Sequence, residues 1–442
     1  MGRPMTSIPR DRRPDSTLAM LREGYAFISN RCRELQTDMF ETRLMLSRVI
    51  CTMGEEAAAM FYQPGRFTRR HAMPQTALML LQDNGSAQQL DGEAHRHRKR
   101  MLLSLTGGER VQKLVADFEE AWQARIAIWA DMNEVVLHDE VEQILCGAVC
   151  QWAGVPLTEA AVLQRTREFS AMIDGAGAIG PRSWKGMLLR ARTEEWVRSI
   201  IDGIRARHMI VPDDSPAHVI ATSCDVEGKP LDSQVAAVEL INLLRPTVAV
   251  ARYVTFAALA LYQYPEYRER IRAVDGDYLE WFVQEVRRFY PFFPSVAGRV
   301  REPFTWRGIR FAEGAWVMLD IYGTNHDPRS WDSPLSFRPE RFRNGRHNVH
   351  SFIPQGGGDV EGGHRCAGER LTVQLVKSAV SLLVRVMEYD VPAQDLRVDL
   401  ARIPAIPKSR FVISNVRRVS EFDQEARVLR SSESRAGLSA LP

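Results

Sequence analysis

The run Gly356-Gly357-Gly358-Asp359-Val360-Glu361-Gly362-Gly363-His364-Arg365-Cys366-Ala367-Gly368-Glu369 constrains this chain more than any other stretch. It sets one cysteine in a glycine loop just ahead of an apolar helical run. Backbone N–H groups ahead of a helix stabilise negative charge on sulfur, and the glycines leave room for a flat group to lie against the backbone. The arrangement suits a thiolate ligand. A buried free cysteine beside a flexible loop is the commoner fate of a lone cysteine and competes with that reading. A nucleotide-binding loop is set aside, because the glycines do not follow G-x-G-x-x-G spacing and no β-branched strand leads into them.

Two upstream constellations decide between these readings. In the helical run Trp281-Phe282-Val283-Gln284-Glu285-Val286-Arg287-Arg288, Glu285 and Arg288 fall three apart on one face. The proline-punctuated Phe337-Arg338-Pro339-Glu340-Arg341-Phe342 then offers Arg341 to the same pair. Alone, each would be an ordinary solvated charge pair. Their order ahead of the cysteine loop, with Asn325-His326-Asp327-Pro328 between them, closely resembles the cytochrome P-450 superfamily. The resemblance runs from about the first helix to the last strands. It implies the cytochrome P-450 fold, mainly α with a small β region, and haem b whose iron takes the Cys366 thiolate. A thiolate ligand pushes electron density toward O–O cleavage.

The 442 residues could make two or three ordinary domains, but no Pro/Gly/Ser-rich linker separates independent cores. The expected organisation is a flexible segment over 1–16, one catalytic domain over 17–416 and a disordered, aperiodic Ser/Glu/Arg tail over 417–442. A hydrophobic fraction of 45% suffices for a large core, and a formal charge of +3 is too small to suggest nucleic acid. The six cysteines lack zinc-site pairs and disulfide-scaffold density, which fits a reducing cytoplasm. The basic, proline-containing start reads as neither signal peptide nor membrane anchor. Met1-Gly2-Arg3-Pro4-Met5-Thr6 matches a myristoylation pattern only formally.

Helical periodicity dominates, over Val111 to Ala130, Thr158 to Ala171, Arg190 to His208, Ser233 to Tyr262, Tyr278 to Tyr290 and Arg370 to Met387. Short strands are expected over Val296 to Val300, Phe304 to Phe311, Trp316 to Leu319 and Phe411 to Val416.

Ordinary members of the superfamily carry an acid and a threonine in the long central helix above the haem. Here that helix reads Ile241-Asn242-Leu243-Leu244-Arg245-Pro246-Thr247-Val248-Ala249-Val250, with an arginine where the acid would be. The proline breaks the backbone ladder and is expected to kink the helix at that point. A guanidinium in such an apolar run needs an anion nearby, and without the haem context a salt bridge to an acid elsewhere in the fold would be preferred. With that context, Arg245-Pro246 resembles the peroxide-using, fatty-acid-oxidising branch. There the arginine binds the substrate carboxylate, which serves as the general acid–base for splitting hydrogen peroxide.

The run Leu90-Asp91-Gly92-Glu93-Ala94-His95-Arg96-His97-Arg98-Lys99-Arg100 would pass for a solvated basic face. In the branch it opens a helix at the haem edge, so the resemblance assigns His95, Lys99 and Arg69 to the haem propionates. Gln88 falls at the branch's distal position, where glutamine goes with hydroxylation and histidine with decarboxylation. The sequence also departs from the branch. Gln82, Ala176 and Ser295 stand at three positions where relatives line the substrate channel with phenylalanine, and Ala367 replaces a proline after the cysteine. Loss of three rings predicts a wider, more polar pocket and a bulkier, branched, aromatic or partly polar acid. Phe289, Phe292 and Phe293 suit core and pocket equally.

The expectation is therefore a haem-thiolate peroxygenase that oxidises a carboxylic acid near its carboxyl group with hydrogen peroxide, without a redox partner. Arg245, Pro246 and Gln88 are its distal residues. A monooxygenase fed by a redox partner and a non-catalytic haem protein are the alternatives.

Overall fold

The computed structural model describes residues 7–273, 276–345 and 347–419. Helices form most of it, around a core that centres on Ser233–Ala249 and its continuation Ala251–Gln263. Asp232 starts this pair by accepting the Gln234 N–H at 2.8 Å, a side-chain N-cap. The helices Leu137–Ala153, Glu159–Gly175 and Pro181–Arg205 pack against it, and Glu369–Ser381 lies beside Ala251–Gln263. Among the described residues, Ser233–Gln263 is the one stretch long and apolar enough to cross a membrane, and it is buried in this core.

Pro246 lies inside the Ser233–Ala249 helix rather than at its end. Helical structure runs on to Ala249, and the interruption comes at Val250, whose N–H bonds back three residues to Thr247 at 3.1 Å. The ring removes the N–H that would serve the Asn242 carbonyl, within a densely packed core.

The β region is a five-stranded sheet in the order Met39–Leu44, Ser47–Thr52, Trp316–Asp320, Ser295–Val300, Phe67–Thr68. Trp316 and Met318 join one core cluster while Val317 and Leu319 join another, so both faces are buried, as side-chain alternation along a strand requires. Val412–Arg418 pairs with Met387–Asp390 and Val135–Val136 in a smaller sheet. The expected strand over Phe304 to Phe311 is a hairpin of Phe304–Trp306 and Ile309–Phe311, turning at Arg307 and Gly308, both at positive φ.

Both chain ends differ from the expected boundaries. Within 1–16, the Asp11 N–H bonds the Glu41 carbonyl at 2.9 Å and the Ser16 N–H bonds the Arg43 carbonyl at 2.8 Å, so the described part of that segment lies along the first strand. At the other end Arg417 and Arg418 sit in the last strand opposite Glu388 and Met387, and buried Val419 bonds Val386. The rest of the expected tail, 420–442, lies outside the described residues.

Candidate active site

The Glu285, Arg288 and Arg341 cluster forms and is the anchor of the loop that leads to the cysteine. Arg288 grips Glu285 with two hydrogen bonds, 2.7 and 2.8 Å, and Arg341 Nε adds a third at 3.2 Å. Glu285 also accepts the Arg338 backbone N–H at 2.8 Å, while Arg288 donates to the carbonyls of Asn325 and Pro334. Every polar atom here has work to do, which is the condition for burying such charges.

Cys366 is held by Gln355, whose backbone oxygen accepts the Cys366 N–H at 3.1 Å and whose amide Nε2 approaches Sγ at 3.8 Å. Burial and the nearby Glu369 push the thiol pKa up, against the Gly368 N–H and the charges of Lys99 and Arg287. The Gly368 N–H lowers the pKa as the loop geometry suggests but does not outweigh burial, and a bound metal cation would favour the thiolate further. The glycines also play a different part from the one expected. A Cβ on Gly357 would meet Ile353 at 2.6 Å and the Val349 oxygen at 2.7 Å, and one on Gly358 would meet Tyr62 at 2.9 Å. Protein fills that space, so these glycines allow close packing of the loop on its neighbours.

His95 and Lys99 lie on one face of the Gly92–Leu105 helix, as the i to i+4 spacing requires. The His95 ring sits 4.1 Å from that of His364, and Lys99 Nζ donates to the Arg365 carbonyl. Arg69 donates to the Ala297 carbonyl at 2.7 Å and lies over the Phe61 ring. Arg69, His95 and Lys99 are all buried, and burial holds each pKa down, that of His95 to about 4 with help from Lys99. His364 is depressed further, by burial and then by the charges of Arg69, His95 and Lys99. Asp91, which accepts from Thr68 at 2.8 Å, is the acid near Arg69 and His95, while Asp359 and Glu369 lie near Lys99. Buried Arg69, His95 and Lys99 make none of the salt bridges found among the described residues, which fits a ligand that brings its own anions, such as the two propionates of haem. His364 was not singled out for this group by sequence reasoning; its place two residues before Cys366 was the available signal.

On the central helix Ser233–Ala249, Arg245 is 5% exposed. It donates Nη2 to the Leu81 carbonyl and to Asn242 Oδ1 at 3.3 Å, and its Nε has no partner. It makes no salt bridge among the described residues, so the acid partner expected of a purely structural arginine is missing. Burial, and then the charge of Arg190, bring its pKa down to about 9, which leaves it protonated at neutral pH. Asn242 donates to the Gln82 carbonyl at 2.7 Å, and Arg190 reaches the next residue, Asp83, at 3.4 Å. Gln88 lies on the short turn Ala87–Gln89 with its buried Oε1 unpartnered. That turn is fixed by fully buried Glu239, which accepts the Ala87 N–H at 2.7 Å and Arg98 at 2.8 Å. Sequence reasoning missed Glu239, an acid inside an apolar helical run.

Of the residues replacing channel aromatics, Gln82 accepts from Gln89 Nε2 at 2.8 Å, Ala176 sits in the bend after Glu159–Gly175, and Ser295 opens a strand opposite Asp320. Phe289 and Phe292 are packing residues: Phe292 stacks on Tyr253 at 4.3 Å, and Phe289 meets Phe337 edge-on at 5.6 Å. Phe293 lies partly exposed against Phe292.

The sequence profile described as Cytochrome P450 matches residues 275–408. Cytochrome P450 4A7 of Oryctolagus cuniculus is 32% identical over 177 residues, which cover 35% of this chain and 32% of that protein. The taurochenodeoxycholic 6 alpha-hydroxylase of Sus scrofa is 30% identical over 187 residues, covering 38% and 34%. The chain thus spans about a third of the length of these curated relatives. Similarity to solved structures is far more extensive. Cytochrome P450SP alpha (CYP152B1) in complex with (R)-ibuprophen is 46% identical with a TM-score of 0.89, covering 92% of this chain and 99% of that one. Cytochrome P450EX alpha (CYP152N1) with myristic acid is 40% identical with a TM-score of 0.91, covering 94% and 100%. A variant of cytochrome P450 OleT in complex with arachidonic acid is 33% identical, TM-score 0.91, with the same coverage.

Proposed function

The chain belongs to the cytochrome P450 family, and from that premise we propose that it is a peroxygenase in which hydrogen peroxide oxidises a carboxylic acid anchored by Arg245. The observation that carries this reading is the buried Arg245 guanidinium with no carboxylate partner and an idle Nε. Such a group is costly to bury alone and gains most from an anion that arrives with the substrate.

Cys366 would hold haem b, with Arg69, His95 and Lys99 placed to meet its propionates, and the group would supply the activation of peroxide and the oxidising equivalent. The chain's own residues do the rest. Arg245 binds the acid's carboxylate and orients it, with Asn242 steadying the guanidinium. A carboxylate so held can take a proton from one peroxide oxygen and return it to the departing one, work the central helix cannot do because no acid stands at that position. Pro246 leaves the Asn242 carbonyl without its helical donor, and Gln88 offers an unpartnered amide oxygen to peroxide or water. The balance is one C–H bond and one hydrogen peroxide converted to one C–OH bond and one water.

For the substrate, Gln82, Ala176 and Ser295 favour a bulky or partly polar acid over a straight fatty chain. A relative of 46% identity holding (R)-ibuprophen, a branched aromatic acid, supports that preference. The test is product mass spectrometry after mixing the holoenzyme with hydrogen peroxide and straight, branched and aromatic acids, each beside its methyl ester. Oxygen insertion with the acids and none with the esters is expected. Turnover only with an electron donor and oxygen would move the redox-partner reading ahead.

A further inference from the structure

We infer that Gln82 and Gln89 form a hydrogen-bonding subsite beside the acid anchor, and that the preferred substrate is an acid carrying a hydroxyl group on its chain or ring. The inference rests on the proposed anchoring of an acid by Arg245 and adds the second group that the site recognises.

The subsite is built where the segment from Leu81 to Gln89 meets the central helix Ser233–Ala249. Glu239, Asn242 and Arg245 follow one another at a spacing of three and so lie along one side of that helix. Each of them touches the segment. Glu239 accepts the Ala87 N–H at 2.7 Å, Asn242 donates to the Gln82 carbonyl at 2.7 Å, and Arg245 donates to the Leu81 carbonyl. Gln82 therefore lies beside Asn242, about one helical turn from Arg245.

Two amides are fixed there. Gln89 Nε2 donates to Gln82 Oε1 at 2.8 Å. The backbone of Gln89 is pinned as well: its carbonyl accepts Arg70 Nε at 2.8 Å and its N–H donates to the Ser86 carbonyl at 2.9 Å. The side-chain bond uses only half of each amide. Gln82 Nε2 and Gln89 Oε1 have no hydrogen-bond partner among the described residues, although Gln82 is half-buried and Gln89 only 8% exposed. Turning both amides over would exchange their roles and leave the same complement, one free donor and one free acceptor. Their orientation is set before a ligand arrives, so little ordering is needed to use them.

The pair discriminates in two directions. A hydroxyl donates and accepts through one oxygen and can answer both free atoms, whereas the N–H and C=O of a secondary amide point to opposite sides of its plane. A plain hydrocarbon chain lying over the pair would strip its water and return no hydrogen bond. If the pair served only to close the segment on itself, the single bond between the two side chains would suffice and ligands would not be told apart.

The test is titration calorimetry of the ferric holoenzyme without peroxide, so that binding is read apart from turnover. The ligands are dodecanoic acid, its mid-chain hydroxy derivatives and their methyl ethers, with phenylbutanoic acid beside its hydroxyphenyl analogue. A hydroxy acid of this set should bind about tenfold tighter than its parent, and its methyl ether, which cannot donate, should lose most of that gain. Gln82→Met and Gln89→Met, close in length to glutamine, should each bring the ratio to about one with an unchanged haem spectrum, and the double variant should add nothing further. A ratio near one at every hydroxyl position in the wild type, or a preference that survives both variants or the methyl ether, overturns the inference. Arg245→Leu separates the two readings. If it leaves the affinities of parent and hydroxy acid intact, the anchoring of the acid fails, while a preference that depends on Gln82 and Gln89 still stands.

Discussion

Gln355 holds Cys366 from two sides, accepting its backbone N–H at 3.1 Å and directing the amide Nε2 at Sγ from 3.8 Å. The same amide donates to Thr372 at 3.1 Å and accepts from Arg287 at 3.1 Å, so its orientation is fixed by two other elements. A donor aimed at a ligating sulfur withdraws electron density from it and stabilises the more electron-rich state of the metal. Gln355→Leu should therefore shift the ferric/ferrous midpoint potential to more negative values while the thiolate-type absorption spectrum persists. Potentiometric titration checks this, and an unchanged potential would remove Gln355 from the tuning of the ligand.

Glu285 is the one acid between two buried guanidiniums and a backbone N–H. Removing it leaves Arg288 and Arg341 without their counter-charge, which costs about 3–5 kcal/mol by the behaviour of broken buried pairs. That is a large share of the roughly 5–15 kcal/mol that holds a domain folded. Glu285→Ala should give protein with little haem and a strongly lowered unfolding temperature. A thermally normal, fully loaded variant would show that the cluster is dispensable.

The parts of this molecule that could be read from sequence are those where local chemistry and tertiary role coincide. Glu285, Arg341 and Cys366 lie in short motifs whose order alone locates them, and His95 and Lys99 share a face because helical spacing makes them do so. The Leu137–Ala153 helix escaped notice because it is buried nearly all round, so no polar face marks its period. The first hairpin escaped because Met45 and Leu46 give no turn signal. That helical structure continues three residues past Pro246 before the interruption at Val250 was not legible, since the packing around this helix comes from distant segments. The Leu81 carbonyl partner of Arg245, and the clasp of Glu239 on the distal turn, depend on contacts across more than a hundred residues of sequence and could only be seen in the fold.

His326 shows how burial couples to pH. Its Nδ1 faces the Tyr322 carbonyl at 2.8 Å, and burial with the nearby Arg288 charge holds its pKa down to about 4. In the unfolded chain it returns to about 6.5. Between those values the unfolded chain binds a proton that the folded ring refuses, so stability falls as pH drops from about 6.5 to about 4, by at most roughly 3 kcal/mol. His326→Gln keeps a donor for the Tyr322 carbonyl and does not titrate. Its unfolding temperature should fall less steeply than that of the wild type over this window, as thermal melts across the pH range would report.

Arg245 separates binding chemistry from stability. Because its Nε is idle and no acid neutralises it, Arg245→Leu removes a buried unpaired charge and should leave the unfolding temperature equal or higher. The variant should still bind haem, since none of the residues around Cys366 touches this side chain. What it loses is the anchor for a carboxylate, and truncating one side of a buried charge pair costs about 2–5 kcal/mol, or roughly 30-fold to several thousand-fold in kcat/KM. The loss should appear with acids under peroxide, and addition of a short carboxylic acid beside a neutral substrate should restore little, since nothing remains to hold it. Arg245→Lys keeps the charge without the planar fork and should fall between the two. Stopped-flow measurement of peroxide consumption for the three proteins decides the matter: full turnover in Arg245→Leu would mean that the proton transfers of the reaction are managed elsewhere.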